Sequence, residues 1–149
     1  MKYIVEFYSN SILMAVLLSW FIAQALKVLF VLITNRKFDL QRFVGSGGMP
    51  SSHSSLVMTL VVMIAKTDGI SSSTFAISLA FAVIVMYDAM GVRRAAGEQA
   101  KTINMIVEEW LPDSDTLMED RLKELIGHTP FQVLMGAILG IAIGLVFPV

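Results

Sequence analysis

One polar stretch, Gly45 to Ser54, leads into an apolar run and carries residue types that handle phosphate. Its glycines let the backbone approach a ligand closely. Pro50 favours the first turn of a helix, which would place Ser51, Ser52 and free backbone N–H groups at that helix's N-terminus. Such a terminus suits an anion, and His53 adds a group that exchanges a proton near neutral pH. A glycine-rich turn with serine caps and a solvated histidine is the structural alternative.

Further basic residues flank later apolar runs. Arg93 and Arg94 directly follow the third run, and arginine is well shaped for bidentate phosphate contact. His128 stands at the entry to the last run, two residues before the helix-start residue Pro130. Each has a structural alternative, as a positive-inside anchor or an interfacial histidine. Their convergence with the Gly45 to Ser54 stretch favours a phosphate site.

Two ionisable residues lie within apolar runs. Lys27 shares a helix face with Gln24, three residues before it, and an ionisable group within a membrane span is a functional candidate. Lys27 could also extend toward the nearby end of its span. Asp88 could neutralise Lys27 or an arginine, or it could orient a histidine. The residues alone do not separate these roles.

The composition places these groups in a membrane protein. Of the 149 residues, 56% are hydrophobic and 15% are charged, and the mean hydropathy is +0.72. Soluble domains are about 45–50% apolar and about 25% charged. The absence of cysteine excludes disulfides and thiolate ligands, and two histidines do not favour a zinc site. A net charge of −1 gives no general attraction to nucleic acid.

The apolar runs predict an all-α polytopic bundle of about four spans in a single domain, residues 1–149. The predicted spans are Ser11 to Thr34, about Ser54 to Ala65, Ser73 to Met90, and Phe131 to Val149. Helical spacing of apolar residues predicts an amphipathic interfacial helix over Val92 to Trp110. A short charged helix is predicted over Leu117 to Ile126.

Glycines in the last run are spaced for close helix packing. Gly136, Gly140 and Gly144 form two consecutive GxxxG patterns. The patterns predict either small residues packed inside the bundle or the face of a homodimer.

The distribution of basic residues predicts which side of the membrane each connection faces. Eight of the 11 lysines and arginines lie in the first-to-second and third-to-fourth connections, and only Lys2 and Lys66 lie at the other end. By the positive-inside rule both polar connections face the cytoplasm. We expect an integral protein of a bacterial cell membrane with its candidate site on the cytoplasmic side.

Three motifs in matching order resemble the divergent branch of the type 2 phosphatidic acid phosphatase superfamily, which also contains vanadium haloperoxidases. They are Gly47-Gly48-Met49-Pro50-Ser51-Ser52-His53-Ser54, then Tyr87-Asp88-Ala89-Met90-Gly91-Val92-Arg93-Arg94-Ala95-Ala96-Gly97, then Gly127-His128-Thr129-Pro130. The resemblance extends over roughly Gln24 to Gly140.

The resemblance implies roles for individual residues. His53 would be the general acid and His128 the nucleophile that forms a phosphohistidine. The implied phosphate contacts are Lys27, Ser51, Ser52, Arg93 and Arg94, with Gly48 and Asp88 in support. No metal or other cofactor is implied, since a histidine nucleophile with a histidine acid needs none.

The sequence departs from the superfamily pattern, K-x6-R-P, P-S-G-H and S-R-x5-H-x3-D, in each of the three motifs. Ser52 replaces the glycine of the second motif. Gln132 stands where the third motif has an acidic residue, and Glu124 or Asp88 are candidates to replace it. The first motif has no Arg-Pro pair, which leaves Lys27, Lys37 and Arg42 as candidates.

These features predict a membrane lipid phosphate phosphatase acting on a phosphomonoester or diphosphate of a lipid or isoprenoid. Gln132 and the wide separation of Arg94 from His128 favour an alternative, a non-catalytic protein that binds or transports lipid phosphate. A structural membrane subunit that recruits a partner through its glycine face is a third interpretation.

Overall fold

The computed structural model describes residues 1–35, 48–110, 122 and 127–149. Within these ranges every regular element is a helix, which confirms the all-α prediction. The helices are α1 (Lys2–Ser9), α2 (Ser11–Asn35), α3 (Ser52–Thr67), α4 (Ser73–Met90), α5 (Val92–Trp110) and α6 (Pro130–Val146). The four apolar runs correspond to α2, α3, α4 and α6, and the amphipathic segment is α5. Lys37, Arg42, Glu124 and nearly all of the helix predicted over Leu117 to Ile126 lie outside the described residues.

Side-chain caps fix where the central helices begin. The Ser51 hydroxyl accepts a hydrogen bond from the Ser54 N–H at 3.4 Å, so α3 begins at Ser52. Pro50 therefore precedes the cap, and its predicted place in the first turn is wrong. Thr129 caps α6 with Pro130 as the first helical residue, as predicted from the fixed φ of proline.

Helix α3 is the centre of the bundle and packs against α2, α4 and α6. It runs parallel to α6: Ser51 N–H donates to the Gln132 carbonyl at 3.1 Å at one end, and Lys66 reaches the Gly144 carbonyl at the other. Helices α2 and α4 run in the opposite direction. The N-termini of α3 and α6 consequently meet at one end of the bundle, and their C-termini meet at the other.

The glycines of α6 allow this close approach. A methyl group at Gly136 would overlap the Ser51 carbonyl oxygen, and one at Gly140 would overlap that of Ser55. At Gly144 it would lie 2.7 Å from Val62 Cβ. The glycine face is thus occupied by α3 of the same chain, which decides between the two alternatives left by the sequence. A homodimer, if formed, must use another surface.

The bundle differs from a soluble protein in burying several hydroxyl side chains while it leaves many large apolar side chains exposed. Buried positions include Ser19, Ser55 and Thr59, whereas large apolar side chains on α2, α4 and α6 are exposed. Ser19 Oγ lies 2.7 Å from Ser55 Oγ and 2.8 Å from Thr59 Oγ1, which also lies 2.9 Å from the Gly140 carbonyl. In lipid the hydrophobic effect does not drive helices together. Hydrogen bonds between hydroxyl groups and close packing at small residues hold them together instead.

Two stretches are long and apolar enough to cross a membrane. They are Ser11–Ile33, with a mean hydropathy of 2.3, and a stretch that begins at Ser73 and includes α4, with a mean hydropathy of 2.0. Helices α3 and α6 have 16 and 17 residues and are shorter. At 1.5 Å per residue each spans about 25 Å, against about 30 Å for the hydrocarbon core. The count of four complete spans stays a prediction.

Candidate functional site

The two histidines of the chain meet at the end of the bundle where α3 and α6 begin. The ring centroids of His53 and His128 are 5.8 Å apart, with an interplanar angle of 62°. His128 is buried and His53 is half-buried. Seventy-four residues of sequence separate them, and the parallel packing of α3 on α6 brings them into edge-to-face contact.

Backbone contacts fix the position of His128. Its N–H donates to the Ala89 carbonyl in the last turn of α4 at 3.0 Å. The preceding Gly127 lies directly against the backbone of Arg94, and a methyl group at Gly127 would overlap Arg94 N and Cα. Because only glycine permits this approach, the segment before α6 is held against the α4–α5 junction.

Lys27 enters the same end of the bundle from α2. Its Nζ donates to Ser52 Oγ at 3.0 Å, and its side chain is only 2% exposed. Lys27 therefore points inward and does not extend toward the end of its span. Gly48, at φ +85°, lies over its aliphatic part, since a Cβ there would be 3.8 Å from Lys27 Cγ. The positive φ favours glycine at this position.

The electrostatics of this end favour an anion. The N-termini of two parallel helices each carry partial positive charge, and here they meet beside a buried lysine. Lys27 bonds to Ser52, the first residue of α3, so its charge lies against the positive end of that helix. A negatively charged group bound there would offset both the burial of the lysine and its repulsion by the helix ends.

Gln132, the amide at the expected acidic position, belongs to this site. Its Oε1 accepts a hydrogen bond from the Thr129 N–H at 3.1 Å and lies 3.3 Å from His128 Nδ1. Together with the Thr129 hydroxyl, which accepts from Gln132 N–H, it forms a capping box. The sequence carries a signal for this arrangement, since Thr129 and Gln132 have the T-x-x-Q spacing before an apolar run.

The predicted arginines and Asp88 lie at the α4–α5 junction, beside the histidines. Arg94 Nε donates to Glu98 Oε1 at 3.2 Å in an exposed i,i+4 pair, so its guanidinium is engaged along α5. Arg93 is the second residue of α5. Asp88 is half-buried in the last turn of α4, next to Ala89. The structure thus brings together His53, His128, Lys27, Ser51 and Ser52, with the Arg94 backbone adjacent and its side chain directed to Glu98.

Comparison with known proteins agrees with this arrangement of motifs. The sequence matches the family described as "Divergent PAP2 family" over residues 8–143. The chain belongs to the divergent PAP2 family. It is also 40% identical over 151 residues to the "Uncharacterized membrane protein YuiD" of Bacillus subtilis (strain 168), covering 95% of this chain and 96% of that protein. No solved structure matches the chain significantly.

Membership in the divergent PAP2 family confirms the resemblance drawn from the three motifs. The matched range includes each of them, from Gly47 to Pro130 at the start of α6. The relative in Bacillus subtilis is a membrane protein of nearly equal length, in agreement with the exposed apolar surface of the helices. The roles of the individual residues stay predictions.

Proposed function

We propose that the chain is a membrane phosphatase of the PAP2 type, hydrolysing a phosphomonoester or diphosphate carried by a lipid or isoprenoid. The observation that carries the proposal is the convergence of two histidines, a buried lysine and two helix N-termini at one end of the bundle. Membership in the divergent PAP2 family supports the same chemistry.

In this proposal His128 is the nucleophile. Its Nε2 lone pair forms a P–N bond while the P–O bond to the lipid oxygen breaks, and that oxygen takes a proton from His53. His53 then accepts a proton from water, the water oxygen attacks phosphorus, and the P–N bond breaks to release phosphate. The rings of His53 and His128 are in contact, so the phosphoryl group must enter beside the pair.

Lys27, Ser52 and the N–H groups at the start of α3 would stabilise the charge on the phosphoryl oxygens. In phosphoryl transfer this charge spreads over three equatorial oxygens, so catalysis is chiefly positioning and electrostatic stabilisation. Arg93 and Arg94 would contribute by extending the positive field at the membrane surface, or by contacting phosphate if Arg94 exchanges Glu98 for it.

The lipid chain would remain in the bilayer beside the exposed apolar faces of the helices, with the phosphate at the membrane surface. Eight basic residues lie in the connections on the site's side, and by the positive-inside rule they support a cytoplasmic position of the site. The substrate would thus be a lipid phosphate of the inner leaflet.

The test is phosphate release by purified protein in detergent, from a panel containing phosphatidic acid, phosphatidylglycerophosphate and isoprenyl diphosphates. His53→Ala and His128→Ala are each expected to lower turnover by at least about 10²-fold. A fully active His128→Ala variant would exclude the mechanism. Saturable binding of these lipids with no phosphate release would favour the non-catalytic alternative, a lipid phosphate binding or transport protein.

A further inference from the structure

The amide of Gln132 has a fixed orientation. The Thr129 N–H can only be accepted by an oxygen, so its contact at 3.1 Å identifies the nearer atom of the amide as Oε1. The same oxygen lies 3.3 Å from His128 Nδ1. An amide oxygen cannot donate a hydrogen, and therefore Nδ1 must carry the proton of this hydrogen bond.

This assignment determines the tautomer of His128. A neutral imidazole with its proton on Nδ1 has its lone pair on Nε2. We propose that Gln132 is a positioning residue that holds His128 in the Nδ1–H form and directs the Nε2 lone pair into the site. The inference about reactivity rests on the proposed phosphatase function, whereas the tautomer follows from the hydrogen bonds alone.

Gln132 is itself held rigidly, which makes it suitable for this role. Its side-chain Oε1 accepts from the Thr129 N–H, and its backbone carbonyl accepts from the Ser51 N–H, both at 3.1 Å. Helix α6 is fixed against α3 at the next turn by the contact of Gly136 with Ser51. The amide therefore replaces the geometric function of a carboxylate without adding a negative charge beside the phosphate.

Because the Gln132 amide is uncharged, it changes the electrostatics around His128. A carboxylate at this position would attract the positive charge that develops on His128, but it would also repel a phosphoryl group in the same pocket. With an amide at this position, other groups must offset the positive charge that develops on His128. The direction of the His128 Nε2 lone pair is preserved. The departure from the family pattern at Gln132 is then a change in electrostatics and not the loss of the orienting group.

The tautomer can be measured without any substrate. The chain has two histidines, so in a His53→Ala background every histidine ¹⁵N resonance belongs to His128. Full-length protein labelled with ¹⁵N-histidine in detergent micelles would be examined above the pH at which the ring is protonated. We expect a pyrrole-type shift for Nδ1 and a pyridine-type shift for Nε2.

Two substitutions of Gln132 test whether its side chain determines the tautomer of His128. Gln132→Met removes the acceptor at similar size and should move His128 toward the Nε2–H form that free imidazole favours in water. Gln132→Glu retains an oxygen acceptor and should keep the Nδ1–H form. The matched control is Thr129→Val, which removes the hydroxyl cap of α6 but leaves the Gln132 Oε1 acceptor, and it should leave the tautomer unchanged.

Turnover of the same substitutions in a chain that retains His53 connects the tautomer to reactivity. Gln132→Met should lower turnover by about 10²-fold, while Gln132→Glu should restore it to within about tenfold of the unsubstituted chain. An Nε2–H form in the starting chain, or no spectral change in Gln132→Met, would overturn the inference while leaving the phosphatase proposal intact. The expected tautomers without turnover from any lipid phosphate would support the positioning of His128 and overturn its catalytic role.

Discussion

The two ends of the α3–α6 pair are built from the same helices, and each end holds a lysine in a different environment. At the N-terminal end, Lys27 is buried and donates to the neutral hydroxyl of Ser52. At the C-terminal end, exposed Lys66 donates to three carbonyls at the end of α6, at distances from 2.6 to 3.3 Å. Ser52 is the hydrogen-bond partner of Lys27 among the described residues, whereas Lys66 has several partners.

This difference separates a lysine that stabilises a helix end from the lysine proposed to bind phosphate. Carbonyls at a helix C-terminus are unsatisfied acceptors at the negative end of the dipole, so Lys66 stabilises the end of α6. Lys27 lies at the positive ends of two helices, where a buried cation is disfavoured unless an anion joins it. The position of Lys27 is therefore better explained by the proposed binding of phosphate than by a contribution to the stability of the fold.

Lys27→Met gives the largest expected effect and tests this comparison directly. Removing the cation from the phosphate site should lower kcat/KM for lipid phosphate by about 10²–10³-fold, as for loss of one preorganised electrostatic group. The unfolding temperature should stay the same or rise, because a buried charge is removed. Phosphate release and thermal unfolding in detergent are the two measurements.

Lys66→Met is the matched control, and it should lower stability while it leaves turnover unchanged. It should lower the free energy of unfolding by about 1 kcal/mol, through loss of the carbonyl hydrogen bonds at the end of α6. Turnover should be unchanged, since Lys66 lies at the other end of the bundle. If Lys27→Met lost only stability, or Lys66→Met lost turnover, the assignment of the two ends would be wrong.

Gly140→Ala tests whether close packing of α6 on α3 holds the two histidines together. The added methyl would overlap the Ser55 carbonyl, and overpacking of this kind costs about 1–3 kcal/mol. The resulting separation of the helices should also lower turnover by about tenfold, because His53 and His128 lie on different helices.

The control for Gly140→Ala is Gly69→Ala, in the turn between α3 and α4. A methyl group there meets open space, and the only expected cost is backbone strain at φ +82°, about 1 kcal/mol. Its turnover should equal that of the unsubstituted chain. Equal turnover for Gly140→Ala would show that the histidine contact does not depend on this packing.

Asp68→Asn gives the smallest expected effect and concerns the C-terminal end alone. Hydrogen bonds from the Thr74 and Thr67 hydroxyls hold the pKa of Asp68 below its ordinary value of 3.8. With a lowered folded pKa, the contribution of the carboxylate to stability is complete above pH 3.8 and is lost as the pH falls through the folded value.

The wild-type chain should therefore lose slightly more thermal stability than Asp68→Asn when the pH is lowered from about 6 to about 3. Unfolding temperatures at the two pH values are the measurement. Identical pH dependence of the two chains would mean that these hydrogen bonds do not stabilise the ionised form. Because Asp68 is distant from the histidines, its substitution should not change turnover near neutral pH.

Local signals predicted the helices well. Apolar runs gave α2 and α4, and Pro130 gave the start of α6, because proline geometry depends on neighbouring residues alone. Pro50 was predicted in the first turn of α3, but Ser51 is the cap, so Pro50 precedes the helix. The T-x-x-Q spacing at Thr129 can be recognised in the sequence, but the contact between Gln132 and His128 is visible only in the three-dimensional structure.

The sequence by itself determined a helical membrane protein, the residue types of the proposed phosphate site, and the family motifs that contain them. These follow from composition, local spacing and the chemistry of individual side chains. Only the tertiary structure decided that the glycines of α6 are used within the chain, that Lys27 points inward to Ser52, and that Gln132 Oε1 lies against His128 Nδ1. The physical reason is that the first two depend on packing between helices, which brings together residues far apart in sequence. The third depends on the atomic geometry of the cap at the start of α6, which the spacing of residues does not specify.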